Sequence, residues 1–196
     1  MNELDNHDHS RFLTRTNHAA GRLKNAAGDE AARGTNICFL RQAQLMQMSL
    51  QGAPTFYYGD EAGVTGFTDP DSRRTYPWGR EDKECLEWAH IVARMHNSSD
   101  AFRRGSLIWL NAENGLAAYA RTLGKEKYVV IVYTGEAERD IDIPVWIAGI
   151  TDTDKLKGIL YTDCWNYGEK GNEVAVNNGR AILRIKPHGA YVLKAE

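Results

Sequence analysis

The sequence predicts an α/β part followed by an all-β part, with the change near Gly105. Three observations predict it: apolar residues with the helical period before Gly105, one short apolar run among them, and strict alternation of apolar residues after it. A chain of 196 residues can form one or two domains of ordinary size. We therefore expect two domains, residues 1–104 and 105–196.

The first part shows two helical patterns around one strand-like run. Apolar residues at Phe39, Ala43, Met46 and Leu50 share a helix face, and Gly52 and Pro54 end that helix. The run Ala53–Tyr58 is short and does not alternate, which is typical of a strand buried on both faces. A long polar loop follows it. A second helix face then appears in Cys85, Trp88, Ala89, Val92 and Met95.

The second part has the period of strands. Apolar residues alternate in three stretches, and the run 127–133 is typical of a central strand. Asn114-Gly115 and Asn178-Gly179 each separate two strand-like runs, which predicts two hairpins. Seven or eight short strands are expected, and they favour an antiparallel sandwich or barrel.

Composition excludes several classes of function. Hydrophobic residues make up 42% and charged residues 26%, as in proteins with a packed core. A net charge of −2 provides no electrostatic basis for binding nucleic acid or an anionic membrane, and no apolar stretch is long enough to span a bilayer. The three separated cysteines fit neither a zinc site nor a disulfide framework, and they favour a reducing compartment such as the cytoplasm.

A polar cluster lies close to the start of the sequence. Residues 5–11 contain two imidazoles and two carboxylates, among them His7 and Asp8. Such a set could bind a metal ion, hydrogen-bond a polar substrate, or form a solvated turn. The metal interpretation is the weakest, since adjacent residues of a strand point to opposite faces and only a loop could direct both side chains at one ion.

A second polar cluster occupies the loop after the buried run. Asp60 and Glu61 follow the strand's carboxyl end, where parallel α/β folds bind ligands. Asp69 and Arg73 are four residues apart and could pair or jointly hold a ligand. The alternative is structural: Asp60 and Glu61 cap the loop, and an arginine at 73 or 74 pairs with them. The loop's aromatic residues could stack on sugar rings or pack in the core: Tyr57, Tyr58, Tyr76 and Trp78.

Both clusters resemble motifs of the α-amylase superfamily, glycoside hydrolase family 13. The stretch LDNHDHSRFLT resembles the family pattern FLxNHDxxR, and GAPTFYYGDEAGVTGFTDPDSRRTYPW resembles GxPxxYYGDExGxxGxxDPDxRRxxPW. The letters DPDSRR are similar to the neopullulanase and cyclomaltodextrinase branch. The motifs cover residues 2–105. The β region resembles the family's C-terminal Greek-key sandwich by position and pattern.

The resemblance implies a fold and a set of roles. Residues 1–104 would be the C-terminal portion of a (β/α)8 barrel, with strand seven at 2–7 and strand eight at 53–58. His7 would hydrogen-bond a sugar ring at the cleavage point, and Asp8 would be the carboxylate that stabilises the oxocarbenium-like transition state. Asp69 and Arg73 match positions that touch further glucose units in relatives. No role is implied for His9, which departs from the family pattern, and no cofactor or metal is implied.

The resemblance also implies that the chemistry needs more than this sequence contains. In the family, the nucleophile and the acid lie on strands four and five, upstream of the His-Asp pair. A whole barrel needs about 250 residues. We expect the chain to be the C-terminal part of a longer hydrolase acting on α-glucan oligosaccharides or polysaccharides, and to be inactive alone.

Two other functions remain open at this point. The chain could be a carbohydrate-binding or structural module whose surface is formed by its aromatic residues with Asp69 and Arg73. It could also be a metal phosphohydrolase of the His-Asp type, although no suitable set of further ligands follows His7 and Asp8. Two βα units would in addition leave a parallel edge unpaired, which predicts self-association through that edge.

Overall fold

A computed structural model describes residues 1–18 and 29–196. The chain divides into two compact units: residues 1–48 with 52–93, and residues 49–51 with 94–196. Each unit is described by itself. None of the helices among the described residues combines the length and the apolar character that crossing a membrane requires.

Helices dominate the first unit. They are α1 (Phe12–Arg15), α2 (Ile37–Ser49) and α3 (Lys83–Ser98). The last residue of α2 and the last five residues of α3 are assigned to the second unit. Short 3₁₀ turns occupy Glu30–Ala32, Asp60–Ala62 and Asp71–Arg73. The two predicted helices are confirmed as α2 and α3. Leu13, Leu40 and Cys85 form a small buried cluster between α1, α2 and α3.

The strand expected at Ala53–Tyr58 is not formed as a regular strand. Within the described residues it contributes one parallel bridge, Asn2 to Pro54. The Asn2 N–H donates to Ala53 O at 2.8 Å, and the Thr55 N–H donates to Asn2 O at 2.9 Å. Both bonds use the neighbours of Pro54, so the N–H that proline lacks takes no part in this bridge. The Gln47 amide of α2 supports the bridge by donating to Asn2 O at 3.1 Å and Thr55 O at 2.7 Å.

The second unit opens with α4 (Asp100–Arg104) and continues as strands. Ser99 begins α4 by accepting the Ala101 N–H at 3.0 Å. Nine strands follow in this described part of the chain: β1 (Ser106–Glu113), β2 (Leu116–Leu123), β3 (Glu126–Tyr133), β4 (Arg139–Ile143), β5 (Lys155–Thr162), β6 (Tyr167–Gly168), β7 (Glu173–Asn177), β8 (Arg180–Ile185) and β9 (Ala190–Ala195).

All neighbouring strands pair antiparallel, in the order β1-β2-β3-β9-β5-β7-β8-β4, with β6 added beside β5. The sheet is strongly curved. Leu110 of β1 and Ile141 and Ile143 of β4 come from opposite ends of the order, yet they belong to one buried cluster. The predicted antiparallel architecture is therefore confirmed as a nearly barrel-like sheet around one core.

The Asn-Gly signals mark hairpins as predicted. Asn114-Gly115 joins β1 to β2, and Asn178-Gly179 joins β7 to β8. Asn178 and Gly179 both have positive φ, 52° and 71°, as a type I′ turn requires. A third two-residue hairpin, Gly124-Lys125 between β2 and β3, was not predicted. Gly124 has φ 59°, and a glycine with positive φ at the first central position is typical of the type II′ hairpin turn.

Two features of the sheet depart from simple alternation. Tyr119 and Arg121 of β2 are buried on the face opposite Ala118, because residue 49 and the end of α4 cover them: Tyr119 bonds the Ser49 hydroxyl at 2.7 Å, and Arg121 donates to Ser49 O and Gly105 O.

The second departure lies on β5, where the backbone of one loop replaces a strand partner. The Gly158 N–H donates to Asn172 O at 3.0 Å, and the Gly171 N–H donates to Gly158 O at 2.9 Å. A Cβ built on Gly158 would lie 2.6 Å from the Gly171 Cα, so the two backbones touch. This contact fills the gap between the β5–β6 and β5–β7 pairings.

Candidate functional site

The predicted site residues come together at the surface of the first unit. The Asp8 Oδ1 atom lies 3.5 Å from His7 Nε2 and 3.9 Å from Arg73 Nη2. The Arg73 guanidinium also bonds the Asp69 carboxylate. The side chains of these residues are about half exposed or more. An exposed group of this kind contributes little to stability and remains available to a polar ligand.

One buried arginine holds the segments that carry these residues. Arg11 donates from Nε to Ser72 O at 2.9 Å and from Nη1 to Tyr58 O at 2.7 Å. The Ser72 hydroxyl in turn donates to His7 O at 2.9 Å. Arg11 is fully buried. It therefore connects the segment of His7 to the loop of Arg73 through backbone carbonyls.

The partner of Asp60 differs from the structural alternative stated above. Asp60 Oδ1 pairs with Arg11 Nη1 at 3.1 Å, and neither Arg73 nor Arg74 is its partner. Those two arginines pair within their own turn, where the cost of ordering is lower: Arg73 with Asp69 and Arg74 with Asp71. Arg74 also pairs with Asp29 at 2.9 Å. Glu61 instead accepts the Gly59 N–H at 2.9 Å, so it caps the loop as expected.

Gly59 makes the turn that places Asp60. Its φ is 91°, in the left-handed region, and a Cβ there would lie 2.7 Å from Val64 Cγ2. Only glycine fits such a position without strain. The Asp60–Ala62 turn that follows is closed by the Ala62 N–H donating to Gly59 O at 3.0 Å. The side chain of Asp60 is thereby directed inward to Arg11.

The loop aromatics divide into two pairs. The Tyr57 and Tyr58 ring centroids are 4.7 Å apart, and the Arg11 guanidinium lies 4.0 Å from the Tyr57 centroid. The Tyr76 and Trp78 centroids are 4.5 Å apart, and Trp78 is 81% exposed. The first pair packs on the buried arginine, whereas the second presents a flat ring to solvent.

A cavity of the first unit does not include the predicted site. It has a volume of about 760 Å³ and is lined by both polar and apolar groups. Its lining includes Asp29, Thr65, Arg74 and Arg80, and none of His7, Asp8, Asp69 or Arg73. The volume alone does not assign a ligand. The exposed group around Asp8 is defined by side chains at a surface, not by an enclosed cavity.

Metal binding finds no support in the part of the chain that is described. Within residues 1–18 and 29–196, no three His, Cys, Asp or Glu side chains are grouped so that they could hold a metal ion. Asp8 contacts both His7 and Arg73, and the positive charge of Arg73 would repel a metal ion. The arrangement can instead hold hydroxyl groups, since the carboxylate accepts hydrogen bonds and the guanidinium donates them.

Sequence reasoning missed Arg11 as the organising residue. Arg11 belongs to the quoted motif, but the sequence analysis gave it no role and did not predict that it interacts with Asp5 and Asp60. One signal was present: Arg11 is followed directly by the apolar pair Phe12-Leu13 at the start of α1. A charged residue beside core positions is buried only with partners, so two nearby carboxylates were candidates for pairing.

The sequence motifs are those of a family of glycoside hydrolases. A family model described as "Alpha amylase, catalytic domain" matches residues 1–136. The chain belongs to the α-amylase family. The match extends beyond residue 105, where the motif resemblance ended, into the strands of the second unit.

Individual relatives agree with this membership. An amylopullulanase of Thermoanaerobacter thermohydrosulfuricus is 35% identical over 83% of this chain and 12% of its own length. Neopullulanase 2 of Thermoactinomyces vulgaris is 28% identical over 98% of this chain and 28% of its own length. The crystal structure of an Anoxybacillus α-amylase matches 98% of this chain and 37% of that protein, with a TM-score of 0.77 and 23% identity. The chain thus spans about an eighth to a third of each relative.

Proposed function

We propose that the chain contributes one side of the active site of a retaining hydrolase that acts on α-glucans, such as starch, maltooligosaccharides, pullulan or cyclodextrins. Its relatives include proteins named amylopullulanase and neopullulanase. The single observation that carries the proposal is the exposed group formed by His7, Asp8, Asp69 and Arg73. These are the residues that the family motif associates with the sugar.

Within this group, Asp8 acts as the carboxylate that stabilises the transition state. Positive charge develops at the anomeric carbon as the glycosidic bond breaks, and an ionised carboxylate lowers the energy of that charge. His7 donates a hydrogen bond to a ring hydroxyl of the same sugar. Arg73, already bonded to Asp69, binds a neighbouring glucose unit together with it. Arg11 positions all of them without touching substrate.

The fold proposed for this function has two parts. Residues 1–104 form the C-terminal part of a (β/α)8 barrel, and residues 105–196 form an antiparallel sandwich. The parallel bridge from Asn2 to Pro54, with α2 nearby in sequence, supports the barrel assignment. The likeness to the Anoxybacillus amylase over nearly the whole chain supports the combination.

The nucleophile and the acid are proposed to lie outside this chain. A retaining enzyme needs two carboxyl groups about 5–5.5 Å apart. The family resemblance associates both of these groups with strands upstream of the His-Asp pair, and the carboxylate that shares Arg73 with Asp8 is Asp69, which the same resemblance associates with binding a neighbouring sugar. The isolated chain should therefore show no turnover of starch, pullulan or cyclodextrin.

A chimeric enzyme tests the role of Asp8 directly. Residues 1–196 would replace the matching stretch of Neopullulanase 2, and pullulan hydrolysis would be measured. We expect the chimera to be active and Asp8→Asn to lower kcat by about 100-fold or more, since it removes one electrostatic stabiliser. Asp142→Asn, at an exposed position of β4, is the control and should leave kcat unchanged. Activity in Asp8→Asn equal to that of the unsubstituted chimera would contradict the role.

A second candidate function is a carbohydrate-binding module without catalysis. The observation that favours it is the Tyr76–Trp78 pair, whose indole is largely exposed. Calorimetry of the chain with maltotriose discriminates it: saturable millimolar binding that is lost in Trp78→Ala and Arg73→Ala, together with a chimera that stays inactive, would favour the module. The absence of heat at high sugar concentration would count against it.

A further inference from the structure

Three charged side chains meet in the interior of the first unit. Asp5 is 2% exposed, Asp60 is 4% exposed, and Arg11 is not exposed at all. Charged residues are buried in this way only with partners that compensate for the lost water. Two carboxylates and one guanidinium would leave an uncompensated charge of −1, so the ordinary protonation states do not balance.

The hydrogen bonds of the two carboxyl groups show which of their oxygen atoms lack a donor. Asp5 Oδ2 accepts the Phe12 N–H, and Asp60 Oδ1 accepts from Arg11 Nη1. The other two oxygens, Asp5 Oδ1 and Asp60 Oδ2, are buried without a donor among the described residues. The two buried carboxyl groups also act on each other: a side-chain hydrogen bond between them and the charge of Asp5 both contribute to the raised pKa of Asp60. Two ionised carboxylates have no hydrogen to share across such a contact.

We propose that Asp5 and Asp60 share one proton, so that the buried group is neutral and acts as a positioning device for the loop that carries Arg73. One proton satisfies both orphaned oxygens in a single hydrogen bond. It also balances the charge of Arg11. This arrangement belongs to the folded chain and does not depend on any sugar being bound; only its link to Asp8 and Arg73 rests on the function proposed above.

Two cations and two aromatic rings surround the pair. Arg11 faces both carboxyl groups, and Arg15 acts on Asp5 from the end of α1. Tyr57 and Tyr58 stack on the other side of Arg11, and Gln44 of α2 donates to the backbone oxygen of Asp60, not to its carboxylate.

Burial dominates the electrostatics of the pair. Desolvation, reinforced by the charge of Asp5, raises the pKa of Asp60 to about 8, and desolvation likewise raises the pKa of Asp5. The cation at Arg11 opposes both shifts without cancelling them.

The same proton influences the site through Arg11. Arg11 also donates to Tyr58 O and Ser72 O, and the Ser72 hydroxyl donates to His7 O. Loss of the proton would place a second negative charge beside Arg11 in the interior. That charge is costly to bury, so the segments around Arg11 would open to admit water. Asp5 and Asp60 are therefore positioning residues, not catalytic ones.

The effect of pH on stability follows from the sign of the shift. The pKa of Asp60 lies above its ordinary value of 3.8 in the folded chain, so the folded state keeps a proton that the unfolded state has already released. Between about pH 4 and pH 8 the native state binds more protons than the unfolded state. Stability therefore falls as pH rises through this interval and levels off above pH 8.

Carbon-13 NMR of the full chain measures the proton directly. The side-chain carboxyl carbons of Asp5 and Asp60 would be followed from pH 4 to pH 10. We expect a coupled titration in which one proton leaves the pair with a midpoint near 8. Carboxyl signals that both move to the ionised position below pH 5 would overturn the proposal, and this experiment needs no variant.

Two variants provide an independent test. Asp60→Asn and Asp5→Asn each replace the shared proton by an amide donor of nearly the same shape. Each should abolish the decline of the thermal midpoint between pH 5 and pH 8. Asp71→Asn is the matched control in the same unit, and it should keep that decline, because its carboxylate pairs with Arg74 at the surface of the loop. Should one variant fail to fold, the other has the same readout.

The outcomes separate this proposal from the proposed function. A decline with pH that persists in both asparagine variants would overturn the shared proton. So would a rise in the thermal midpoint of the unsubstituted chain on adding millimolar calcium, because a cation would then occupy the place of the proton. Neither result changes the chimera experiment on Asp8, and an inactive chimera leaves the carboxyl titration unaffected.

Discussion

The aspartates of the first unit show how strongly the environment decides the behaviour of one residue type. Asp8 is exposed beside Arg73, Asp71 is held by Arg74, and Asp60 is buried against Arg11. The carboxyl group of an aspartate is thus available to a ligand at Asp8, fixed in an ion pair at Asp71, and protonated in the interior at Asp60. The sequence predicted a role for Asp8 and two alternatives for Asp60, but it did not predict which of the aspartates faces water.

The contribution of Asp71 to stability should depend on pH in the opposite sense to that of Asp60. Burial pushes its pKa upward, but two hydrogen bonds from Arg74, each 2.9 Å, and the Phe67 N–H at 2.7 Å outweigh burial, so its pKa lies below the ordinary value. A lowered pKa means that the stabilisation is complete above about pH 4 and is lost as pH falls through the lowered value.

We therefore expect Asp71→Asn to lose about 2 kcal/mol of unfolding free energy at pH 7 and to show a weaker dependence on pH below 4. Urea unfolding at a series of acidic pH values measures both effects. Asp142→Asn, which breaks an exposed pair with Arg180 on the sheet, is the control. An acid limb identical in Asp71→Asn and the unsubstituted chain would contradict this account.

What could be predicted at the level of single residues depended on local sequence. The proximity of Asp69 and Arg73 followed from their spacing of four, and Gly59 followed from the need for a sharp turn. The Asp5–Arg11–Asp60 group spans 55 positions of the chain and required the fold. No local pattern states that two carboxylates far apart in sequence will meet.

Elements with strong local signals were predicted, and those with remote partners were not. The helices α2 and α3 follow from periodicity, and the hairpins at Asn114 and Asn178 follow from turn chemistry. The segment 53–58 had the composition of a strand. The one bridge that it forms depends on Asn2, about fifty residues earlier, which no local pattern identifies as its partner.

The hairpin glycines provide a matched pair of substitutions. Gly179→Ala introduces a left-handed alanine at φ 71° and a Cβ 2.7 Å from Trp146 Cβ. Gly124→Ala introduces the same strain at φ 59°, with no atom within 4 Å of the added carbon. We expect a loss of about 1–2 kcal/mol in Gly124→Ala from backbone strain. Gly179→Ala should lose about 1–3 kcal/mol more because of overpacking.

Urea unfolding of the two variants under one condition measures the difference. Equal losses would mean that the contact with Trp146 has no energetic effect. A larger loss in Gly124→Ala would mean that the β2–β3 turn, not the β7–β8 turn, is the more constrained hairpin.

At the scale of the whole molecule, the two units differ in how completely their backbones are paired. The second unit is a continuous antiparallel sheet around one core, whereas the described part of the first unit forms a single parallel bridge between residues 2 and 54. The change of hydrophobic period near Gly105 predicted an α/β part and an all-β part, but the curvature of the sheet became evident only when its strand order was known.

We propose that the chain self-associates through the segments around this bridge, because unpaired extended backbone is a template for pairing with another chain. Light scattering should give a mass above 22.0 kDa that rises with concentration. Phe56→Lys places a charge on that segment and should reduce the associated fraction. A strictly monomeric mass with uniformly slow amide exchange would contradict the proposal.

The contact between Gly158 and Gly171 has a practical consequence for anyone who handles this protein. The stretch between β6 and β7, residues 169–172, is exposed and consists of two charged residues, a glycine and an asparagine, so it is an obvious place to insert a tag or a label. Its backbone is nevertheless clamped to β5 by two hydrogen bonds at a separation that admits no side chain. An insertion there would break these two hydrogen bonds. The hairpin turn at Gly124-Lys125 has free space around Gly124 and is the better place to attach a probe.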